Sequence, residues 1–268
     1  MLKDITLGQF FPGKSPIHRL DPRTKLVVLL LYIVLLFVAS NWISYAVMAV
    51  FLVASVKLST IPFRSIVRGM KPVVFILVFT GILNLFFTKG GTVLVSFWGL
   101  TITTVGLERA LFMITRILML ITGTFLLTYT TSPISLTDGL ESLMKPLKKL
   151  RVPVHELAMM MCIALRFIPT LIEETDKIMS AQKARGADFE SGNLVQRAKA
   201  LVPILVPLFI SAFRRADELA TAMECRCYQG DVGRTKMKLL RFSRLDLHAF
   251  VVSFCLTAVM VTLKIHGL

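Results

Sequence analysis

Three stretches of this sequence carry residue types at spacings that could do chemistry. Gly8-Gln-Phe-Phe-Pro-Gly13-Lys14-Ser15 matches the letters G-x-x-x-x-G-K-[ST] of a phosphate-binding loop. Cys225-Arg226-Cys227 offers two thiols that could ligate a metal, and Ala184-Arg185-Gly186 presents a guanidinium between two small neighbours. The first two readings fail on context. A phosphate loop works only between a buried strand and a helix, where its backbone amides converge on the anion. No apolar strand precedes Gly8, Pro16 removes an amide just after the motif, and a long apolar run follows. A zinc site needs about four Cys or His ligands at recognisable spacing. The other cysteines, Cys162 and Cys255, and the histidines His18, His155, His248 and His266 are scattered singly. Neither a metal nor a cofactor is expected.

The two arginines remain. Each closes a long, mostly apolar helical segment, Pro153 to Arg185 and Leu194 to Arg226, joined by the polar turn Glu190-Ser191-Gly192-Asn193. One reading of Arg185-Gly186 is an ordinary helix end, with glycine in the left-handed cap and arginine complementing the negative end of the helix dipole. The other is a docking device. Helices of this length run about 50 Å at 1.5 Å per residue, so a hairpin sends its two C-terminal ends to opposite extremities. Small neighbours leave each guanidinium free to enter a groove and pair bidentately with a carboxylate. That arrangement suits two similar soluble subunits, one arginine for each. Both readings stand at this stage.

The elements that must position these arginines follow from composition. Of 268 residues, 55% are hydrophobic and only 18% charged, with mean hydropathy +0.72 and a formal net charge of +15. Charge this sparse and this positive indicates an integral membrane protein with excess Lys and Arg in its cytoplasmic loops. No basic, aromatic-interleaved soluble segment is present, so no nucleic acid is expected. No cleavable signal peptide is evident, because a charged arm precedes the first apolar run at Leu26. Apolar runs at Leu26 to Ala39, Trp42 to Val56, Pro72 to Phe87, Leu107 to Tyr129 and Leu247 to Leu263 read as five spans. The arm, the loop Lys57 to Lys71 and the segment from Lys145 onward are basic, whereas Ser40-Asn41 and Thr88 to Thr104 are nearly uncharged. An N-terminus on the cytoplasmic side satisfies all five segments.

The hairpin itself is expected in the cytoplasm. If both its helices crossed, Lys177, Lys183, Arg185, Arg197 and Lys199 would lie outside, against the charge rule. The apolar run Ala200 to Phe213 is also short for a span and contains Pro203 and Pro207. Leu201, Leu205 and Leu208 share one helical stripe, as do Met161, Leu165 and Ile168; Met159, Met160 and Phe209 make the remaining faces apolar too. The fold class is thus an all-α integral membrane protein with about five transmembrane helices and a cytoplasmic coupling hairpin. Its expected divisions are 1–25 (arm), 26–130 (four spans), 131–245 (coupling domain) and 246–268 (fifth span). Arg116 and Arg166 lie in apolar surroundings and are expected to pair with acidic neighbours. A membrane enzyme is disfavoured, because the spans hold almost no carboxylates and no paired histidines. A stand-alone secondary transporter would show midplane ionisable residues and inverted repeats, and neither is found.

The chain resembles the transmembrane T component of energy-coupling factor transporters, within the cobalt-transport Q protein superfamily. Three motifs carry the resemblance, which covers essentially the whole chain: His18-Arg-Leu-Asp21-Pro22-Arg23-Thr-Lys25, Ala184-Arg185-Gly186-Ala-Asp188-Phe189, and Ala222-Met-Glu224-Cys225-Arg226-Cys227-Tyr228. It implies that Arg185 and Arg226 dock onto a pair of ATP-binding-cassette ATPase subunits. It also implies that the faces around Met159, Met160, Met161 and Leu165, and around Leu201, Leu205, Leu208 and Phe209, contact a separate substrate-binding membrane subunit for vitamin or other micronutrient uptake. The chain itself would not be an enzyme. Asp21, Pro22 and Arg23 are expected to cap and start the first span. The second signature departs from the family pattern, since cysteines replace both Ala and Gly and the usual helix-ending glycine is missing.

Overall fold

The computed structural model describes residues 10–88, 90, 92–97, 100–189, 193–230 and 239–266. These fall into two compact units, one of residues 140–239 and one of residues 8–139 with 240–268. The polar turn expected at Glu190 to Gly192, and Gly8 of the phosphate-loop letters, lie outside the described residues.

The larger unit contains helices α1 (Pro16–Arg19), α2 (Pro22–Val38), α3 (Trp42–Ser59), α4 (Phe63–Phe87), α5 (Thr104–Thr130) and α9 (Arg244–Ile265). Helix α6 (Pro133–Met144) leads out of it. The smaller unit contains a 3-10 turn (Lys145–Leu150) and the long helices α7 (Val154–Ala184) and α8 (Leu194–Glu224). The chain is therefore an all-α membrane protein with one small addition. Strands β1 (Val93–Phe97) and β2 (Leu100–Thr103) form an antiparallel hairpin, with Phe97 opposite Leu100 and an irregularity between Val93 and Val95. That stretch reads as a loop by its lack of charge, but its sequence is dominated by the β-branched and aromatic residues that favour strands.

Five helices among the described residues are long and apolar enough to cross a membrane by length and composition: α3, α4, α5, α7 and α9. Helix α2, with 17 residues, is about 26 Å long and sits at the short end of the spanning range. Helix α4 corrects a boundary. It begins at Phe63, nine residues before the expected start at Pro72, so the basic residues Arg64, Arg68 and Lys71 ride on its first turns. A proline reads as a helix start, yet Pro72 is inside α4, as membrane helices tolerate.

The core of this unit is built on α2. Tyr32, Leu35 and Leu36 pack with Tyr45, Met48 and Leu52 of α3, Met119 of α5 and Met260 of α9. The same helix exposes Leu30, Val34 and Phe37 on its other faces. A helix apolar all round is what a bilayer demands, since lipid covers what protein does not. Helices α4 and α5 approach closely at glycine: a Cβ on Gly81 would come within 2.8 Å of Ile114 Cδ1.

The ends of α2 and α5 hold each other. At the start of α2 the carboxylate of Asp21 accepts a hydrogen bond from the Arg23 amide at 2.9 Å, and Pro22 occupies the first helical position. Four residues on, Lys25 Nζ donates to the carbonyl of Thr130 at 2.8 Å and to Thr131 Oγ1 at 3.2 Å. Thr130 closes α5, so the ammonium sits where carbonyls have no helical partner and the dipole is negative. At the far end the roles reverse. Arg116 of α5 donates to the carbonyl of Ala39, the C-cap of α2, at 3.3 Å and to Tyr45 Oη at 2.7 Å. Its guanidinium also lies 5.5 Å from the Phe37 ring centroid. The acidic neighbour expected for Arg116 is replaced by backbone and aromatic partners.

Helix α9 joins the same knot. Asp246, 1% exposed, accepts from the Ser243 amide at 2.7 Å in a capping box and from the Asp21 amide at 2.8 Å. On α1, His18 Nε2 lies 2.9 Å from the carbonyl of Phe11, so Nε2 carries the proton and Nδ1 accepts from Ser15 Oγ at 2.6 Å. Burial, partly opposed by the Phe11 bond and reinforced by Lys25, holds the His18 pKa below its ordinary value. Ser15 thereby serves as a helix cap and not as a phosphate ligand.

Lys25→Met keeps the aliphatic stem but leaves the Thr130 carbonyl and Thr131 hydroxyl without their donor. The expected loss is about 1–3 kcal/mol of stability, read as a lower thermal midpoint in detergent; an unchanged midpoint would contradict the clamp.

Candidate functional site

Helices α7 and α8 form an antiparallel hairpin fixed by polar contacts within an apolar pair. Glu174 of α7 accepts from Arg215 Nη2 of α8 at 2.8 Å and from the hydroxyl of Ser211. Gln182 Nε2 donates to the carbonyl of Pro203 at 3.3 Å. This last bond has a definite cause. The Pro203 carbonyl would be paired in a regular helix with the amide of residue 207, but Pro207 has no N–H. Gln182 supplies the missing donor. The carboxylate and the amide were not singled out by sequence, because Glu174 lies in the polar run Glu173-Glu174-Thr175-Asp176-Lys177 and nothing local separates it from its neighbours. The start of α7 is tied as well, with His155 Nδ1 3.1 Å from Glu141 Oε1 of α6.

The two helix ends share one geometry. In α7 the C-cap is Arg185, Gly186 follows at φ +86°, and two bonds close the turn: the Gly186 amide to the Lys183 carbonyl at 3.0 Å and the Ala187 amide to the Gln182 carbonyl at 3.0 Å. This is the Schellman motif. In α8 the corresponding bonds run from the Cys227 amide to the Glu224 carbonyl at 2.8 Å and from the Tyr228 amide to the Met223 carbonyl at 3.1 Å. Cys227 takes the glycine's place at φ +54°. The second helix thus ends as the first does, with a cysteine held in the left-handed region at a cost of about 1–2 kcal/mol. Arg226, like Arg185, is the residue before that left-handed position, and both arginines are exposed. Ala184, Gly186, Cys225 and Cys227 are exposed too. The register set by Gln182 and Pro203 places Arg185 opposite about residue 200 of α8, so the two arginines lie on the order of 40 Å apart along the hairpin.

The apolar candidates divide. On α8, Leu201, Leu205 and Phe209 are 48%, 45% and 60% exposed, and Val202, Val206 and Phe213 extend the same open surface. Leu208 is half-buried, while Ile204 is buried. On α7, Met160 and Met161 are exposed, whereas Met159 and Leu165 are half-buried. Arg166 is exposed, with no ion pair among the described residues, so the acidic partner expected for it is not found.

Fold and site together define a multi-pass helical membrane protein whose polar groups cap and clamp helices, with a hairpin that carries one arginine at each end. The sequence model of the family described as Cobalt transport protein (CbiQ) matches residues 13–239, and the chain belongs to that family. It is 59% identical to the energy-coupling factor transporter transmembrane protein EcfT of Thermosediminibacter oceani, over 94% of this chain and 95% of that one. The EcfT proteins of Ruminiclostridium cellulolyticum (54%, over 92% of each chain) and Bacillus subtilis (47%, over 98% of this chain and 100% of that one) are similar along the same length.

Because Cys227 and Gly186 occupy equivalent backbone positions, opposite substitutions have opposite effects. Cys227→Gly is expected to strengthen the α8 end by about 1 kcal/mol and Gly186→Ala to weaken the α7 end by about the same. A Cβ at Gly186 meets nothing within 4 Å, so its effect is purely one of backbone conformation. Hydrogen exchange of the amides at 221–228 and 181–187 reads both; equal exchange in variants and wild type would contradict the shared motif.

Proposed function

We propose that this chain is the membrane scaffold and coupling subunit of an importer of the energy-coupling factor class. In this reading ATP closes two soluble ATP-binding-cassette subunits, each gripping one end of the hairpin. Arg185 enters one subunit and Arg226 the other, each pairing with a carboxylate in a groove. The closing motion displaces the hairpin, which tilts or shifts a separate membrane subunit that holds the vitamin or other micronutrient. ATP is hydrolysed by the partners, and this chain supplies no catalytic group.

The observation that carries the reading is the repetition of one arginine-capped helix end at opposite extremities of a hairpin. Each helix needs its own cap, but exposed arginines in the same geometry at both tips, about 40 Å apart, match two equivalent partners. The open face of Leu201, Leu205 and Phe209 on α8, together with Met160 and Met161 on α7, supports contact with the substrate-binding subunit. Methionine there suits a surface that repacks against a moving or exchangeable partner.

Charge supports the placement in the cell membrane. With the N-terminus in the cytoplasm, the basic residues of the arm, of the first turns of α4 and of the segment from Lys145 onward lie on the cytoplasmic side. Helix α7 is apolar enough to cross, but crossing would carry Lys177, Lys183 and Arg185 outward. It is therefore assigned, with α8, to a cytoplasmic coupling domain of residues 131–245, following a four-span domain of 26–130 and preceding the final span at 246–268.

The test is co-purification of the chain with its ATPase subunits from detergent, comparing wild type with Arg185→Glu and Arg226→Glu. Reversing a charge in a buried groove costs about 3–5 kcal/mol, and each variant is expected to lose one ATPase subunit. Full association of both subunits with both variants would return the arginines to a role as helix caps.

A further inference from the structure

The membrane unit holds a side-open cavity of about 330 Å³ that the coupling role does not use. Its walls are mostly apolar side chains from five helices, among them Ile17 of α1, Val28 and Tyr32 of α2, Leu52 of α3, Leu126 of α5 and Val252 of α9, and Leu20 of the α1–α2 turn closes one end. Along α2 it runs from Thr24 to Tyr32, about 12 Å. Lys25 and His248 lie at the end nearest the start of α2, where the helix-end knot marks the level of the membrane surface.

The cavity opens sideways. Leu58 of α3 and Val252 of α9 both line it, and they are 57% and 52% exposed. Through them the chamber is continuous with the outer apolar surface of the bundle, which includes Val251 and Phe254 of α9 and Val50 and Val53 of α3. An exposed apolar surface on membrane-spanning helices is one that lipid can cover.

Size and chemistry decide the occupant. Apolar cavities of about 150 Å³ stay dry and take up benzene; this one is about twice as large, and its walls are mostly apolar. A single flexible hydrocarbon chain fits both the slot and its side opening. We propose that the cavity binds one acyl chain of a membrane lipid, inserted between α3 and α9, with the headgroup at the level of Lys25 and His248. The lipid then acts as a packing element shared by α2, α3, α5 and α9.

The test uses the full-length chain, purified in detergent, stripped of lipid and titrated with dioleoylphosphatidylglycerol under native mass spectrometry. Ala249 of α9 also lines the chamber, so Ala249→Phe fills it, and Val252→Trp lies across its mouth where the wild-type side chain is already half in the open. Wild type is expected to hold one lipid at least tenfold more tightly than either variant, and its thermal midpoint to rise on adding lipid while theirs do not. Equal lipid retention and equal midpoint shifts in all three proteins would overturn the proposal, reducing the bound lipid to surface annulus. A variant that melts higher than wild type with unchanged lipid binding would show the cavity to be an empty void.

Discussion

A buried helix end has up to four carbonyls with no partner, and each one left unpaired costs about 1–3 kcal/mol. The antiparallel helices α2 and α5 meet this constraint reciprocally. Lys25 of α2 covers the last carbonyl of α5, and Arg116 of α5 covers the last carbonyl of α2. Cations at helix C-termini also oppose the dipole, so two charges that would be costly to bury alone fasten the helices together. Asp21 and Asp246 add the complementary halves at the N-termini of α2 and α9. The other packing of the bundle, from the Tyr32–Met48–Met260 core to the cavity beside it, is arranged around helices whose ends are already fixed.

The hairpin solves a different problem with the same components. Its two prolines break the backbone pairing of α8, and Gln182 repairs one break from across the hairpin. Glu174 spends its two oxygens on Ser211 and Arg215 of α8. The pair is thereby stiffened near its middle, while its tips are left open. A lever needs that distribution: rigid between the points of force, accessible where force is applied. The strained backbone at Cys227 sits at one of those open tips.

Much of this was legible in the sequence. The limits of α7 and α8 match the apolar periodicity to within a residue or two, and Asp21-Pro22 reads directly as a helix start. What escaped was long-range pairing. Lys25 to Thr130 and Asp21 to Asp246 span more than a hundred positions, and nothing local marks Thr130 as an acceptor. Arg116 misled because an isolated intramembrane charge suggests an acid, whereas a C-cap carbonyl and two rings met its needs. The β1–β2 hairpin was hidden by absence of charge, and the end of α8 by the absence of glycine. Cysteine in a left-handed turn is uncommon enough that only coordinates reveal it.

The central claim is that the two arginine-capped tips grip two separate ATPase subunits. The most direct measurement is photo-crosslinking in the intact complex, with benzoylphenylalanine placed at Ala184 in one sample and at Cys225 in another. The account predicts that each position crosslinks an ATPase subunit, and that a doubly substituted chain captures two at once. Crosslinks from both positions to a single subunit, or only to the substrate-binding membrane subunit, would contradict it.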